Sequence, residues 1–151
     1  MSDLNRRTLC IALPALATAL AAEAGAAPVS ENALASDLTQ CKAFPFEKLP
    51  IRYSDGGAPT RDIAKGRVST GELIELHETT VEPGKMPHPA HQHPHEEFIL
   101  IREGTVEFEY NGEKHLLGPG SVGYTAPNQM HGFHNAGSTP ASYFIFSLSK
   151  K

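Results

Sequence analysis

Four side chains in two stretches have the types and spacing needed to hold a metal ion. The first stretch reads His91-Gln92-His93-Pro94-His95-Glu96-Glu97 and runs on through an apolar segment to Gly104. On an extended chain alternate side chains point the same way, with Cα atoms roughly 6.6–7 Å apart. A short strand over His91-Gln92-His93 therefore directs two imidazoles to one point. Pro94 has no amide hydrogen to give a ladder, and it ends that strand. Beyond the bend, Glu97 opens residues 98–101, an apolar run that reads as a buried strand. In the second stretch, residues 120–135, a turn delivers His131 to the start of another strand. Three imidazoles and one carboxylate form a mixed nitrogen and oxygen site. That donor set suits a divalent transition metal, with manganese, iron, nickel, copper and zinc all left open. A six-coordinate ion held by four such groups keeps positions free for a ligand.

Parity sorts the neighbouring candidates. Ile99 and Ile101 share the face of Glu97, so Glu97 rather than Glu96 is expected to point inward. His134 falls on the face opposite His131, whereas Phe133 shares the His131 face. His88 and His95 sit in proline-rich bends beside the site. Each is a candidate for gating the site, passing protons or joining a second metal cluster, and Tyr124, the tyrosine nearest the second stretch, is a further candidate for proton transfer. His77 lies within a strand and reads as a core histidine. Asn135 is expected to fix a turn. Phe98, Phe108, Phe133, Phe144 and Phe146 are expected in the core.

Together the two stretches resemble the paired motifs of the cupin family. His91, His93, Glu97 and Gly104 match the first motif, with Gly84 one residue too far upstream. Gly120, His131 and Asn135 keep the outer spacing of the second. Within it Pro127 falls one place late, and Asn128 stands where the family has glycine. Asn tolerates a left-handed turn better than other non-glycine residues, so that swap is physically mild. The resemblance covers roughly residues 63–147. It implies an all-β fold, a single jelly-roll β-barrel with the metal in its mouth, and pairing of two copies into a homodimer.

The elements that must position these residues are short strands. Residues 51–53, 64–69, 72–81, 97–102, 105–110, 113–117, 122–125, 131–135 and 142–148 read as strands, in addition to 91–93. Val106, Phe108 and Tyr110 alternate with Glu107 and Glu109, as on a half-buried sheet surface. Asn111-Gly112 between two such runs is the signal of a tight hairpin with a type I′ turn. With 13 glycines and 12 prolines among 151 residues, many short strands joined by turns read as a sandwich or jelly roll.

The chain divides into residues 1–26, 27–48 and 49–151. The first segment carries Arg6-Arg7, an apolar run over 9–22 and small residues up to Ala27, the marks of a cleavable export signal. The paired arginines resemble a twin-arginine signal. A periplasmic or secreted protein with no membrane span after signal removal is the expectation. Residues 27–48 form an arm, in which Ser36-Asp37 capping a helical turn over 38–41 and an extended course are equally open. The rest is one domain. Of the two cysteines, Cys10 would leave with the signal, so a disulfide framework is excluded. A net charge of −4 without a basic run beyond the N-terminus argues against nucleic acid as a partner. The expected partner is a small molecule. A metal-dependent enzyme of dioxygenase or other oxidoreductase type is expected first, by family analogy. An isomerase, lyase or decarboxylase, or a binding module without turnover, is the alternative.

Overall fold

The computed structural model describes residues 38–150. The expected export signal, the start of the arm with Ser36 and Asp37, and Lys151 lie outside the described residues. Nine strands follow one another: β1 (Ile51–Tyr53), β2 (Pro59–Arg67), β3 (Leu73–Val81), β4 (Glu96–Glu103), β5 (Val106–Tyr110), β6 (Glu113–Leu117), β7 (Val122–Thr125), β8 (His131–Asn135) and β9 (Ala141–Ser149). They form two antiparallel sheets, one in the order β1-β2-β3-β9-β4-β7 and one in the order β6-β5-β8. Among the described residues no helix is long and apolar enough to cross a membrane.

The inner faces of the sheets meet in a core of Val81, Ile99, Ile101, Tyr143 and Ile145 from the large sheet and Val106, Phe108 and Phe133 from the small one. Burial removes the apolar area of these side chains from water and is the main source of stability. The period-2 pattern sets the faces. Glu97, Ile99 and Ile101 are buried, whereas Phe98 and Leu100 are 39% and 43% exposed. The run at 98–101 is thus covered on one side only, and Phe98 is not a core residue as expected. Its ring lies against Tyr124 on the outer surface, with centroids 5.0 Å apart. Phe144 and Phe146 likewise lie half-buried, on the strand face opposite Tyr143 and Ile145. The β5–β6 hairpin turns at Asn111 and Gly112, with φ of 52° and 79°, as the type I′ signal requires. Asn128 has φ of 60°, the left-handed conformation its place in the second motif demands.

Two strand expectations need correction. His91-Gln92-His93 is not a strand but forms one isolated bridge, His91 opposite His131. Pro89 and Pro94 flank it and supply no amide hydrogens, so the ladder cannot lengthen in either direction. β2 begins at Pro59, earlier than the expected start at residue 64. Its charged Arg61 and Asp62 masked the signal, and a bulge between Asp62 and Ala64 breaks the alternation. In the arm, Leu38 bridges Val68, and the chain then bends at residues 39 and 40 without a helical turn. A 3₁₀ turn over Phe46–Lys48 places the Phe46 ring 4.8 Å from the Arg61 guanidinium and 5.0 Å from that of Arg102.

Asn135 closes the end of the small sheet opposite His131. Fully buried, it donates from Nδ2 to the carbonyls of Val81 and Thr139, both at 2.8 Å, and its Oδ1 accepts from the Gly137 amide at 2.9 Å. It fixes the turn after β8, as expected, and ties that turn to β3. Replacing it strands two buried carbonyls and an amide. Asn135→Ala is expected to lower stability by about 3 kcal/mol, read as a lower midpoint in urea denaturation. An unchanged midpoint would show that these bonds carry no net stability.

Candidate metal centre

The reciprocal bridge between His91 and His131 builds the site. His91 N donates to His131 O and His131 N donates to His91 O, each at 2.9 Å. Residues paired directly across a ladder project to the same side, so the two rings meet with centroids 4.8 Å apart. His93 joins them at 5.2 Å from His91 and 4.8 Å from His131. Each of the three rings offers a nitrogen within 4.8 Å of the others. Glu97, at the start of β4, brings Oε2 to 3.4 Å from His93 Nε2 and Oε1 to 3.9 Å from His131 Nε2. The structure therefore gathers His91, His93 and His131 in one group and sets Glu97 beside two of its rings, His93 and His131.

The ring tautomers point inward. His131 Nδ1 lies 2.9 Å from the Gln129 carbonyl, and His93 Nδ1 lies 3.0 Å from the His95 carbonyl. A carbonyl can only accept, so each Nδ1 carries the hydrogen and each Nε2 presents a lone pair. Both Nε2 atoms are buried without a hydrogen-bond partner, as is His91 Nδ1. Buried polar atoms are rarely left unpaired. Three orphaned ring nitrogens beside a carboxylate fit a metal ion. Donors about 2.1 Å from one ion lie roughly 3.0–4.2 Å apart, the range of the glutamate–histidine distances here.

Burial sets the protonation states. It pushes His91 down to about 4, helped by the neighbouring His88, His131 and His93 rings. It lowers His131 as well, against the Gln129 carbonyl. Glu97 is raised to about 7, chiefly by burial, with Glu75 adding to the shift and His88 and Ser147 opposing it. At neutral pH the site holds neutral imidazoles at His91 and His131 and a carboxyl group poised to lose its proton.

The cluster opens on a cavity of about 290 Å³ between the sheets. His88 lines it, with its ring 4.3 Å from His91, so this proton-transfer candidate is brought to the site. Tyr124 is not. It is 48% exposed on the outer face, opposite Phe98, because its parity in β7 is that of the outward residues, while Thr125 faces inward opposite Glu97. It does not line this cavity, although it shares a second one with His131. His134 faces away and pairs with Glu107 at 3.3 Å. Glu96 sits outside the cluster.

Three cavity residues were missed or undervalued. His95 stacks on His93 with centroids 3.6 Å apart and Nε2 4.0 Å from Glu97, although a bend residue gives no parity to read. His77 lines the cavity wall rather than lying in the core proper, and burial holds it down at about 4. Tyr143 is 2% exposed with its hydroxyl unpartnered. The run 142–148 is apolar on both faces, so its alternation could not single out Tyr143.

Comparison with known proteins agrees with this geometry. Residues 77–147 match the family model described as Cupin domain. The fold is similar to that of an RmlC-like cupin from Shewanella frigidimarina, with TM-score 0.62 and 18% identity over 75% of this chain and 96% of that one. It is also similar to a predicted oxalate decarboxylase from Thermotoga maritima, with TM-score 0.61 and 17% identity over 72% and 100% of the two chains. A third similar structure is a sugar phosphate isomerase from a cupin superfamily, from Silicibacter pomeroyi, with TM-score 0.60 and 16% identity over 72% and 76%. Identities this low carry the fold and not the activity. No curated protein matches the chain in sequence.

The raised Glu97 makes a stability prediction. An acid whose folded pKa lies above its unfolded value near 4.5 favours folding fully below that value. The benefit is lost as pH rises through about 7. In metal-free protein Glu97→Gln is therefore expected to be more stable than wild type at pH 8, by about 2 kcal/mol, with the gap closing near pH 5. Urea denaturation at both pH values in a chelator checks this; a gap independent of pH would contradict the raised acid.

Proposed function

We propose that this chain, whose residues 77–147 match the cupin domain model and whose fold is that of cupin structures, is a metal-dependent enzyme acting on a small molecule. His91, His93, His131 and Glu97 would hold one divalent transition ion. The observation that carries the reading is the set of three buried, unpartnered ring nitrogens in one histidine group, with Glu97 beside two of the rings. Bound there, the ion would supply Lewis-acid or one-electron chemistry at positions facing that cavity. Within the class we favour oxidoreductase chemistry of the dioxygenase type.

The chain's own residues supply the remainder. The Gln129 and His95 carbonyls hold His131 and His93 in the donor tautomer. Glu97 must give up a proton for the ion to enter. His88 stands where it can take a proton from a ligand, with Nδ1 held 3.0 Å from the Pro89 carbonyl. A cavity of about 290 Å³ is of a size to hold a small molecule.

Export is a second part of the proposal, supported by Arg6-Arg7 and the apolar run over 9–22. Replacing both arginines by lysine is expected to keep the protein in the cytoplasm, read by fractionation. Undiminished export would remove the twin-arginine route.

Calorimetric titration with cobalt(II) or manganese(II) is expected to show one site per chain. His91→Ala and His131→Ala should each weaken it about 100-fold or more. Apparent affinity should fall about tenfold per pH unit below pH 7 and level off above, with about one proton released near pH 6, because Glu97 must ionise. Metal-loaded protein should then consume oxygen with one of a panel of phenolics, diketones or small organic acids, and His91→Ala should not. Substrate loss without oxygen uptake would reassign the reaction to an isomerase, lyase or decarboxylase. Tight binding with no turnover would make the chain a binding module.

A further inference from the structure

We infer that the Tyr143 hydroxyl donates a hydrogen bond to a negatively charged oxygen of the ligand that occupies the cavity beside the His91–His93–Glu97–His131 cluster. The inference rests on the metal reading above and names what that site binds: a small molecule presenting a carboxylate or enolate oxygen.

The argument begins with register. On the inner face of the large sheet, β4 and β9 pair Glu97 with Ser147, Ile99 with Ile145 and Ile101 with Tyr143. On the other side β3 pairs Thr79 with Tyr143 and His77 with Ile145. The inner face therefore descends in rows, from a polar mouth at Glu97 and Ser147, through an isoleucine layer, to the row of Tyr143 and Thr79. Tyr143 springs from the deepest of these rows, yet it lines the same cavity as His91, His93 and Glu97. Its ring packs beside Phe133, with centroids 6.2 Å apart, and Phe133 in turn lies 5.7 Å from His131. The aromatic wall thus runs without a break from a cluster histidine to the tyrosine.

The hydroxyl is the anomaly. Tyr143 is 2% exposed, and its oxygen is buried with no hydrogen-bond partner. A phenol could pack in this core as a phenylalanine does; a hydroxyl there loses its hydration and gains nothing until something in the cavity accepts its proton. Among the wall residues Glu97 is the anion near enough to influence it, yet no hydrogen bond joins the two. Burial and that negative charge both keep the proton on the phenol. Tyr143 is therefore a donor and not a base. A donor across the cavity from a divalent ion selects a ligand with negative charge on oxygen. Neutral imidazoles and one carboxylate leave such an ion with net positive charge, so the two ends of the cavity ask for the same chemistry.

The test uses the whole protein and acetate as the probe. Wild type and Tyr143→Phe are loaded with cobalt(II), and acetate is titrated while the visible cobalt spectrum is followed. The variant should bind cobalt(II) within about twofold of wild type but acetate about tenfold more weakly. It should melt no lower, because the lost hydroxyl had no protein partner. In zinc(II)-loaded wild type labelled with ¹³Cζ-tyrosine, the resonance that Tyr143→Phe abolishes should move on acetate addition. Equal acetate affinity, an unmoved resonance, or cobalt and acetate affinities falling together would each overturn the inference while leaving the metal site standing. Wild type that takes up no cobalt(II) would overturn the metal reading, and this inference with it.

Discussion

One rung of backbone hydrogen bonding organises this protein. The two 2.9 Å bonds between His91 and His131 join chain segments that are otherwise a proline-broken bend and the start of β8. Because paired residues project to the same side, the rung converts two distant histidines into neighbours with one common focus. Pro89 and Pro94 keep it to a single rung. A longer ladder would hold the bend flat against β8, whereas a single rung lets the chain curl back so that His93 joins them and Glu97 comes to lie beside two of the rings. The carbonyls of His95, in this curled backbone, and of Gln129, in the turn before β8, fix the ring tautomers. Donor set, tautomer and convergence thus follow from where the ladder begins and stops.

The same convergence works against the metal-free fold. Ring nitrogens are buried without partners, and the Glu97 acid is lifted to about 7 by the environment that would favour an ion. The compensation lies one layer below. Ile99 and Ile101 follow Glu97 along the inner face, Ile145 lies beside Ile99 on the neighbouring strand, and Phe133 comes from the other sheet. Apolar burial there anchors the strand whose first residue carries the carboxylate. Polar mouth and apolar floor are successive positions of one period-2 pattern, so stability and site share a strand without competing for positions.

Much of this was legible in the chain. Asn111-Gly112 announced its turn because only a few residues accept positive φ, and Asn128 did so for the same reason. Glu97 could be separated from Glu96 by the parity of Ile99 and Ile101. Where local pattern fell silent, the reading failed in understandable ways. Tyr124 was chosen for closeness in sequence, but the alternation within β7 turns it outward. Phe98 was taken as core because apolarity alone does not say whether both faces of a strand are covered; this face of β4 is open. The start of β2 was hidden by charged residues that its partner strands tolerate.

What the sequence by itself determined is the kind of fold and the candidate donors, since turn-forming residues, alternation and the spacing of His91, His93, Glu97 and His131 are properties of short stretches. Only the tertiary structure decided which side chains share the cavity with them. His77 from β3 and Tyr143 from β9 meet the cluster through strand register. Register is settled by the packing of whole sheets, so no single stretch of the chain contains it.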